Sequence, residues 1–353
     1  MKKTAIIFSP KYLTHDPGPG HPESPQRLEV VINGLKESSI LQSDSCFLIE
    51  PKPASLEDLR LVHSSSYINT VKRVSELGGG TLDLGDTVAS PESFEVAQLA
   101  AGGVIQAVDM VMTNQFQNAF ALIRPPGHHA GRNYALGFCI FNNAALAASR
   151  LIYNFKLDRV LILDIDAHHG NGTQEIFYST DKVLYISLHQ DPTGFPGTGF
   201  VDEVGEGKGL GYNVNIPFPF RTGDPSYWKA MKDIVIPIIQ QYEPQFILVS
   251  AGFDGYHGDT VASLSLSAFI YPRIFQKVLS LAERFCEGRI VAVLEGGYKL
   301  SFLKRILVAA IAQMAGLQYK IKDRRPLSDL EILKKAEKII EDVRRTHSAF
   351  WSI

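Results

Sequence analysis

The sequence feature that most limits the possible folds is a series of short apolar runs, each ending in Gly, Pro or polar residues. Seven such runs occur, at residues 4–10, 119–127, 159–166, 182–189, 212–218, 245–254 and 289–298. In most of them the apolar residues are consecutive rather than alternating, which is typical of strands buried on both faces of a parallel sheet. Helical stretches separate or follow them, at about 93–113, 142–155, 226–242, 267–287, 301–316 and 328–346. The pattern predicts an α/β fold with a mostly parallel sheet flanked by helices.

The chain is expected to form a single domain. Its 353 residues contain no internal repeat and no low-complexity linker. Two segments rich in Gly and Pro, 11–27 and 190–211, lie between predicted elements and are typical of long functional loops. We therefore predict one domain over 1–353, with a core at about 4–320 and a C-terminal helical segment at about 328–346.

Composition and charge exclude several classes of partner. The formal net charge is -2, from 35 basic and 37 acidic residues, so the chain lacks the positive charge of proteins whose main partner is nucleic acid. The cysteines, Cys46, Cys139 and Cys286, have no CxxC spacing, and their odd number argues against a disulfide framework. The apolar run near the N-terminus, AIIF, is too short for a signal peptide, and no membrane-spanning segment is expected later. A cytoplasmic location and no membrane partner are therefore expected.

Polar motifs follow four of the predicted strands, at the point where each strand ends. They are RPPGHHA (124–130), DAHHGNG (166–172), GFDGYHGD (252–259) and EGGY (295–298). In a parallel sheet, ligand sites form beyond the carboxyl ends of the strands. The four motifs are therefore expected to deliver Asp, His and Tyr side chains to one edge of the sheet.

The DIDAHH segment predicts a metal site. On an extended chain, Asp164, Asp166 and His168 point to the same side, so Asp166 and His168 can reach one ion from a single strand end. Asp254, at the end of another strand, is the candidate third ligand. One His and two carboxylates leave an open position, as in catalytic sites, and this donor set fits Zn²⁺, with Fe²⁺ or Mn²⁺ also possible.

Two further groups predict acid–base and electrophilic chemistry beside that metal. His128 and His129 project in different directions from a Pro-Pro-Gly turn, which suits a pair that orients a water molecule and accepts its proton. Asp164 is the candidate partner for the second nitrogen of one of these rings. Tyr298 follows two glycines that allow close backbone approach, and its phenol can donate to a carbonyl oxygen under attack.

The remaining candidates receive structural interpretations. His21 and His63 are expected to shape loops, and His169 points away from the predicted ligands. Tyr12, Tyr256 and His257 are candidates for the rim of the site.

Taken together, the motifs resemble the zinc-dependent histone deacetylase superfamily, which includes bacterial and archaeal deacetylase-like enzymes, acetoin-utilisation proteins and acetylpolyamine amidohydrolases. The resemblance rests on RPPGHHA, GFCIFNN, DIDAHHGNGTQ, SLHQ, FPGTG, SAGFDGYHGD and LEGGY, with GHPESPQRL near the N-terminus. It runs in order from about residue 15 to about residue 320. It implies the arginase–deacetylase fold, with a parallel sheet of about eight strands, and one catalytic Zn²⁺ bound by Asp166, His168 and Asp254.

The resemblance also implies roles for other residues. His128, bonded to Asp164, and His129 would be the paired imidazoles, and Tyr298 the electrophilic phenol. Phe138 and Phe195 would wall a tunnel for a linear acyl-lysine side chain, with the Gly137 carbonyl at its base. A structural K⁺ site is matched by residues that contribute partly through backbone oxygens, namely Asp164, Asp166, His168, Ser187 and Leu188.

Two positions are informative within that family. Asn171, the expected partner of His129, is aspartate in many members, and the amide resembles the class II subgroup. A neutral partner stabilises an imidazolium less, so His129 is expected to be neutral and able to act as a base. Val261 stands where a polyamine-preferring relative has Glu, so the chain offers no countercharge for a polyamine nitrogen there.

Asp86 is a candidate for holding the substrate backbone.

The predicted function is metal-assisted removal of an acetyl or other acyl group from acyl-lysine in a peptide or protein. The alternatives are deacetylation of acetylated polyamines or another small acylated amine, and a non-enzymatic acyl-lysine binding module, which would be expected to have lost a ligand, a histidine or the tyrosine. A binuclear manganese ureohydrolase is excluded because Gly170 and Tyr256 stand where a second metal needs carboxylates. An oligomer is possible.

Overall fold

The computed structural model describes residues 3–353, and all structural statements below refer to them. Ten strands are assigned within that range: Thr4–Ile7 (β1), Cys46–Ile49 (β2), Gly80–Thr81 (β3), Val88–Ala89 (β4), Asn118–Ala121 (β5), Val160–Asp164 (β6), Val183–Gln190 (β7), Asn213–Phe218 (β8), Phe246–Ala251 (β9) and Ile290–Leu294 (β10). Eight of them form one sheet in the order β2-β1-β5-β10-β9-β6-β7-β8, and β3 pairs with β4 separately. Every pairing in the large sheet is parallel.

Helices form most of the connections between successive strands, and two more follow the last strand. The α-helices are Gln26–Glu37 (α1), Leu56–Arg60 (α2), Ser65–Glu76 (α3), Ser93–Met112 (α4), Asn143–Tyr153 (α5), Asn171–Phe177 (α6), Asp224–Ala230 (α7), Ile236–Tyr242 (α8), Ile270–Phe285 (α9), Leu300–Met314 (α10) and Leu330–His347 (α11). The predicted helix 226–242 is interrupted by a π-helical turn, Met231–Val235, just before Pro237. The prediction of a single α/β domain with a parallel sheet flanked by helices is confirmed.

The central strands are buried on both faces, as their continuous apolar runs predicted. Every residue of β5, β6, β9 and β10 is buried. The cysteines are free and buried, in agreement with the expectation that they form no disulfide framework.

One helix corrects the expectation that no segment could span a membrane. By length and composition α4 is apolar enough to do so. It lies against β1, β5 and β10 in the core, and most of its residues are buried. Its composition is therefore explained by its position as a core helix.

The last helix packs on the end of the sheet. Asp329 caps α11 by accepting from the Glu331 amide, and the helix contacts the edge strand β8. Beyond it, the indole of Trp351 donates to the Gly211 carbonyl and its ring lies 5.6 Å from that of Tyr212. The predicted helical segment 328–346 is thus part of the same folded unit as the sheet.

The sheet order explains how the four polar motifs come together. They follow β5, β6, β9 and β10, and these strands are consecutive neighbours, in the order β5-β10-β9-β6, at the middle of the sheet. Because all four run in parallel, their carboxyl ends lie at one edge, which is where a site is expected.

Candidate active site

Three buried side chains at this edge converge on a common point. The Nδ1 atom of His168 lies 2.8 Å from Oδ2 of Asp254 and 3.3 Å from Oδ1 of Asp166. Ligand atoms from all three residues lie within 4.8 Å of one another. Ligands about 2.0–2.2 Å from a zinc ion in tetrahedral geometry are separated by comparable distances. The arrangement therefore has the spacing of a three-ligand metal site.

Backbone amides hold the outer oxygens of the two carboxylates. The Gly296 amide donates to Oδ2 of Asp166 at 2.8 Å, and the Ala167 amide donates to Oδ1 of Asp254 at 2.9 Å. The remaining oxygen of Asp254, Oδ2, is buried and makes no hydrogen bond, despite its short distance to the His168 ring. Two buried carboxylates that converge on one imidazole are suitable ligands for a shared cation, so the residues present suit a divalent metal.

Glycines make this close packing possible. A Cβ atom at Gly252 would lie 2.0 Å from Oδ2 of Asp166, and one at Gly296 would lie 2.6 Å from the same oxygen. No side chain fits at either distance. The glycines of GFD and EGGY therefore allow strands β9 and β10 to bring their loops against the carboxylate of Asp166.

The two adjacent histidines lie beside this point with different partners. Nδ1 of His128 donates to Oδ2 of Asp164 at 3.0 Å, and Nδ1 of His129 donates to Oδ1 of Asn171 at 2.8 Å. Their ring centroids are 4.0 Å apart, and the His129 ring lies 6.2 Å from that of His168. Both rings are thus oriented through Nδ1, which leaves Nε2 as the free nitrogen of His129.

The surroundings separate the charge states of the pair. Burial disfavours a charged His128, but the carboxylates of Asp164 and Asp166 outweigh it and raise the pKa of His128 to about 10. Burial, together with His128 and His168, holds the pKa of His129 well below its usual value. A charged and a neutral imidazole therefore stand side by side.

The carboxylates show an excess of negative charge. Burial and the neighbouring Asp166 raise the pKa of Asp254 to about 6, although His168 opposes the shift. Burial likewise raises the pKa of Asp164, which His128 partly offsets. Against the effect of burial, these carboxylates and Asp166 raise the pKa values of two imidazoles, His128 and His168, to about 10. Three buried carboxylates therefore face two positive rings, and the remaining negative charge fits a bound cation.

The amide of Asn171 links His129 to the protein surface. Its Nδ2 donates to the hydroxyl of Tyr134 at 3.1 Å, and that hydroxyl donates to Oε2 of Glu175 at 2.7 Å. Since the amide nitrogen is a donor, Oδ1 is left to accept from the imidazole, and His129 is held as the Nδ1–H tautomer.

Tyr298 is positioned by contacts to its backbone and to its ring. Its amide, and that of Lys299, donate to Oδ2 of Asp259 at 2.7 and 2.9 Å. The guanidinium carbon of Arg27 lies 4.8 Å from the centre of the phenol ring, and Arg27 also donates to the Gly297 carbonyl at 2.8 Å. Burial raises the pKa of Tyr298 well above its usual value, so the phenol keeps its proton.

A pocket of about 280 Å³ leads to these residues. The residues that line it are Asp86, His128, His129, Gly137, Phe138, Asp166, His168, Phe195, Val261 and Tyr298. The structure therefore brings all five residues predicted to contact substrate to one cavity. The Phe195 ring stands 4.9 Å from that of His129, and the Phe138 ring stands 5.8 Å from that of Tyr298. Asp254 and Asp164 are fully buried behind this surface.

The other predicted positions divide into those near the site and those outside it. Ser187 and Leu188 are buried in β7, with the Ser187 hydroxyl 2.7 Å from Nδ1 of His189. His169 faces away, between Thr198 and Gln174. The rim positions suggested for Tyr12 and Tyr256 are wrong, because both rings are buried and Tyr256 bonds to Asp323 instead.

Sequence reasoning missed a buried acid beside the histidine pair. Glu295 accepts from the amides of Gly127 and His128 through Oε2, at 2.8 and 3.2 Å. Burial raises the pKa of Glu295 to about 7 despite the opposing charge of His128. The sequence contained a signal for Glu295. A glutamate directly after an apolar strand is costly to bury unless it is hydrogen-bonded or paired.

Sequence reasoning also missed a second cluster of buried charges. Glu23 accepts from the guanidinium of Arg124 at 2.6 and 2.7 Å and from that of Arg27 at 3.0 Å, and all three side chains are fully buried. Glu23 and Arg27 stand four residues apart in HPESPQRL, so their pairing was visible in the sequence as i,i+4 spacing. Arg27 connects this cluster to the loop that carries Tyr298.

Comparison with known proteins gives a consistent result over almost the whole chain. The family profile described as "Histone deacetylase domain" matches residues 21–314. A "Probable deacetylase" of Archaeoglobus fulgidus is 43% identical over 357 residues, covering 99% of this chain and 98% of that protein. A "Histone deacetylase-like amidohydrolase" of Pseudomonas aeruginosa is 36% identical over 364 residues, covering 98% of this chain and 94% of that protein. The crystal structure of the HDA15 HD domain is similar with a TM-score of 0.89 and 35% identity, covering 99% of this chain and 96% of that one.

Proposed function

The chain belongs to the histone deacetylase family and is a hydrolase that acts on amide bonds, and we propose that its substrate is the acyl-lysine side chain of a peptide or protein. The observation that supports this most is a pocket that joins an exposed mouth to a three-ligand centre. Asp86 is exposed at one end of that pocket, and Asp166 and His168 are buried at the other.

We propose zinc as the catalytic ion, held by Asp166, His168 and Asp254. One imidazole and two carboxylates are the donor set of a catalytic zinc site with an open position. Zinc bound there supplies Lewis acidity, which polarises a carbonyl group and lowers the pKa of water. The convergence of Asp166 and Asp254 on the one His168 ring supports this assignment, because two buried carboxylates face a single imidazole there.

His129 is the proposed general base, and later the general acid. Its pKa is held low, so the ring is neutral, and Asn171 occupies Nδ1, so Nε2 is the nitrogen that accepts a proton from water. The attacking oxygen forms a bond to the carbonyl carbon, and the C–N bond then breaks. Protonated His129 returns that proton to the departing amine.

His128 and Tyr298 have proposed electrostatic roles. Paired with Asp164, His128 is charged and keeps a positive group beside the reacting carbonyl. The protonated phenol of Tyr298 donates to the carbonyl oxygen as negative charge develops on it. Arg27 and Asp259 hold the loop that presents this phenol.

The pocket walls favour a long, uncharged chain. Phe138 and Phe195 are aromatic surfaces suited to the methylene groups of lysine, and Val261 is apolar. An acetylated polyamine carries a second ammonium group, which gains no countercharge at Val261. Deacetylation of polyamines is therefore the second candidate, with Asp86 the one carboxylate at the mouth to support it. A structural K⁺ near Asp164, Asp166, His168, Ser187 and Leu188 remains a proposal.

A substrate panel with metal analysis tests the function. The zinc-loaded protein is assayed on peptides with acetyl-lysine and longer acyl-lysines, and on acetylated polyamines, beside a Val261→Glu variant. We expect higher kcat/KM on acyl-lysine peptides, and a shift toward polyamines in the variant. A protein with one bound zinc that cleaves polyamines but no acyl-lysine peptide would contradict the substrate assignment. Full activity with stoichiometric iron or manganese, and no activity with zinc, would contradict the assignment of zinc as the catalytic ion.

A further inference from the structure

We propose that the protein has a second binding site, for a small organic molecule that carries two adjacent phosphoryl groups. The site is a pocket of about 380 Å³ between α7, the start of α9 and the segment 323–328, called here the flank pocket. It shares no lining residue with the catalytic pocket. Its volume is within the range of about 300–1,000 Å³ that is usual for small-molecule sites.

Two carboxylates hold the walls of the flank pocket together. Asp224, at the start of α7, accepts from the Ser267 amide at 2.8 Å and from the Ser267 hydroxyl at 2.5 Å. Asp323 accepts from the amide of the next residue, Ala268, at 2.7 Å. Two consecutive amides before α9 are thus bonded to the other two walls, so the pocket is formed without a ligand.

Aromatic faces orient two guanidinium groups at the pocket. The guanidinium carbon of Arg273 lies 3.7 Å from the centre of the Trp228 ring, and that of Arg325 lies 5.5 Å from the centre of the Phe269 ring. A guanidinium stacked by its face keeps its N–H groups, which point outward in its plane, for hydrogen bonds. The N–H groups at the edges of the two guanidinium planes are therefore available to oxygen acceptors.

The positive charge at the flank pocket is larger than the negative charge that the surrounding side chains supply. Within residues 3–353, no carboxylate forms a salt bridge with Lys232, Arg273 or Arg325. The fourth cation, Lys229, bonds to Asp233 at 2.8 Å, and Asp224 is occupied by Ser267. Lys232, Arg273 and Arg325 therefore line one concave surface without a salt-bridge partner, and even with the carboxylate of Asp224 on the same lining they leave a net positive charge that an anion can balance.

The chemistry of these groups favours phosphoryl oxygens. Guanidinium edges match phosphate and carboxylate geometry in bidentate fashion, and lysine contributes a further point charge. A single carboxylate carries one charge, whereas a diphosphate carries about three at neutral pH and spans several donors. Pro225, Ile270 and Pro326 add apolar side chains to the lining, which the organic part of such a molecule can contact. These features together point to an organic diphosphate.

Titration calorimetry on the zinc-loaded full chain tests the inference, with inorganic pyrophosphate and ADP as probes at about 0.15 M ionic strength. We expect both to bind, and the Arg273→Gln plus Arg325→Gln double variant to bind at least about tenfold more weakly, since a hydrogen bond to a charged group is worth about 1.5–3 kcal/mol. The matched control is Lys72→Gln plus Arg73→Gln, two exposed cations on α3, which should leave both affinities unchanged.

The variant pattern also separates this site from the catalytic metal. Pyrophosphate that binds zinc alone would bind the double variant as tightly as the parent protein, and that result would overturn the proposal. Absence of binding by both probes would overturn it too, as would citrate binding more tightly than pyrophosphate. If the double variant melts at a lower temperature, Lys232→Gln takes its place with the same expectation. Deacylase activity is not needed for any of these measurements, so failure of the proposed function would leave them intact.

Discussion

Two clusters of fully buried charge lie close together in this protein, and they differ in how the charge is balanced. In the arginine cluster, Glu23 sits between two guanidinium groups that satisfy both of its oxygens. In the carboxylate cluster, Asp166 and Asp254 share the single imidazole of His168. The first cluster has all its partners within the chain, whereas the second is the proposed site of a metal ion.

The pKa values express the same difference. Burial favours protonation of Glu23, but Arg124 and Arg27 outweigh it and hold its pKa at about 2. Burial and Asp166 instead raise the pKa of Asp254 to about 6. An ionised Glu23 therefore stabilises the fold at neutral pH, whereas an ionised Asp254 costs stability until a metal binds. Buried carboxylates of equal exposure thus have opposite effects, according to their partners.

The largest expected effect comes from removing a ligand in the carboxylate cluster. Asp254→Asn should lower kcat/KM by more than about 10³-fold, because the site loses a charged ligand. The free energy of unfolding of the metal-free variant should equal or exceed that of the metal-free parent, since the raised pKa of Asp254 shows that its ionised form is destabilised in the fold. Activity, zinc content and urea denaturation check these points. A metal-free variant that is clearly less stable would contradict the comparison.

The converse change in the arginine cluster should act on stability. Glu23→Gln leaves two buried guanidinium charges without their acceptor, and we expect a loss of about 3–5 kcal/mol in the free energy of unfolding. The control is Glu57→Gln, which removes an exposed partner of Arg60 and should cost about 1 kcal/mol or less. Denaturant titration measures both variants. Equal losses of unfolding free energy would show that the buried cluster contributes no more to stability than an exposed ion pair.

A third change tests the hydroxyl of Tyr298, whose ring lies against Arg27 of the arginine cluster. Tyr298→Phe removes the phenolic donor and should lower kcat by about 10²–10³-fold, the usual cost of losing one such donor. Zinc content and the melting temperature should stay at the parent values, because the ring and its contact with Arg27 remain. Turnover at the parent rate would remove the role assigned to the hydroxyl.

The smallest expected effect concerns the neutral partner of His129. Asn171→Asp places a carboxylate at Nδ1 and should raise the pKa of His129 by about one unit or more. A base must be unprotonated to act, so the acidic limb of the kcat/KM profile should move to higher pH by the same amount. Asn154→Asp, an added charge at an exposed position, should leave the limb in place. An unmoved limb in Asn171→Asp would exclude His129 as the titrating base.

Most of the large sheet could be predicted because its strands are continuous apolar runs. The exception is β2, a four-residue strand at the edge of the sheet. Its side chains are only partly buried, and Leu48 is 45% exposed, so the segment CFLI lacked the surroundings of a central strand. Helix α1 was also missed, although Leu28, Val31, Ile32 and Leu35 bury one helical face, because it follows a segment rich in Gly and Pro.

The site was predictable where one strand end supplies several groups, and less so where distant segments meet. Asp166 and His168 are two residues apart, and their shared direction follows from the strand. The contacts of Glu23 with Arg124 and of Arg27 with the Gly297 carbonyl join segments 101 and 270 residues apart. Residue type and local spacing do not determine such contacts, since only the folded chain brings these segments together. The flank pocket was missed for the same reason.

The packing of α11 against β8 has a consequence for how the sheet is protected. The histone deacetylase profile ends at residue 314, and β8 is the last strand of the sheet, with one edge that no further strand covers. The helix and Trp351 lie against that strand and the turn before it. An uncovered parallel edge is a template on which other chains add strands and aggregate. Residues outside the family profile thus pack against one of the two edge strands of the sheet, and a chain that approached β8 would meet them there.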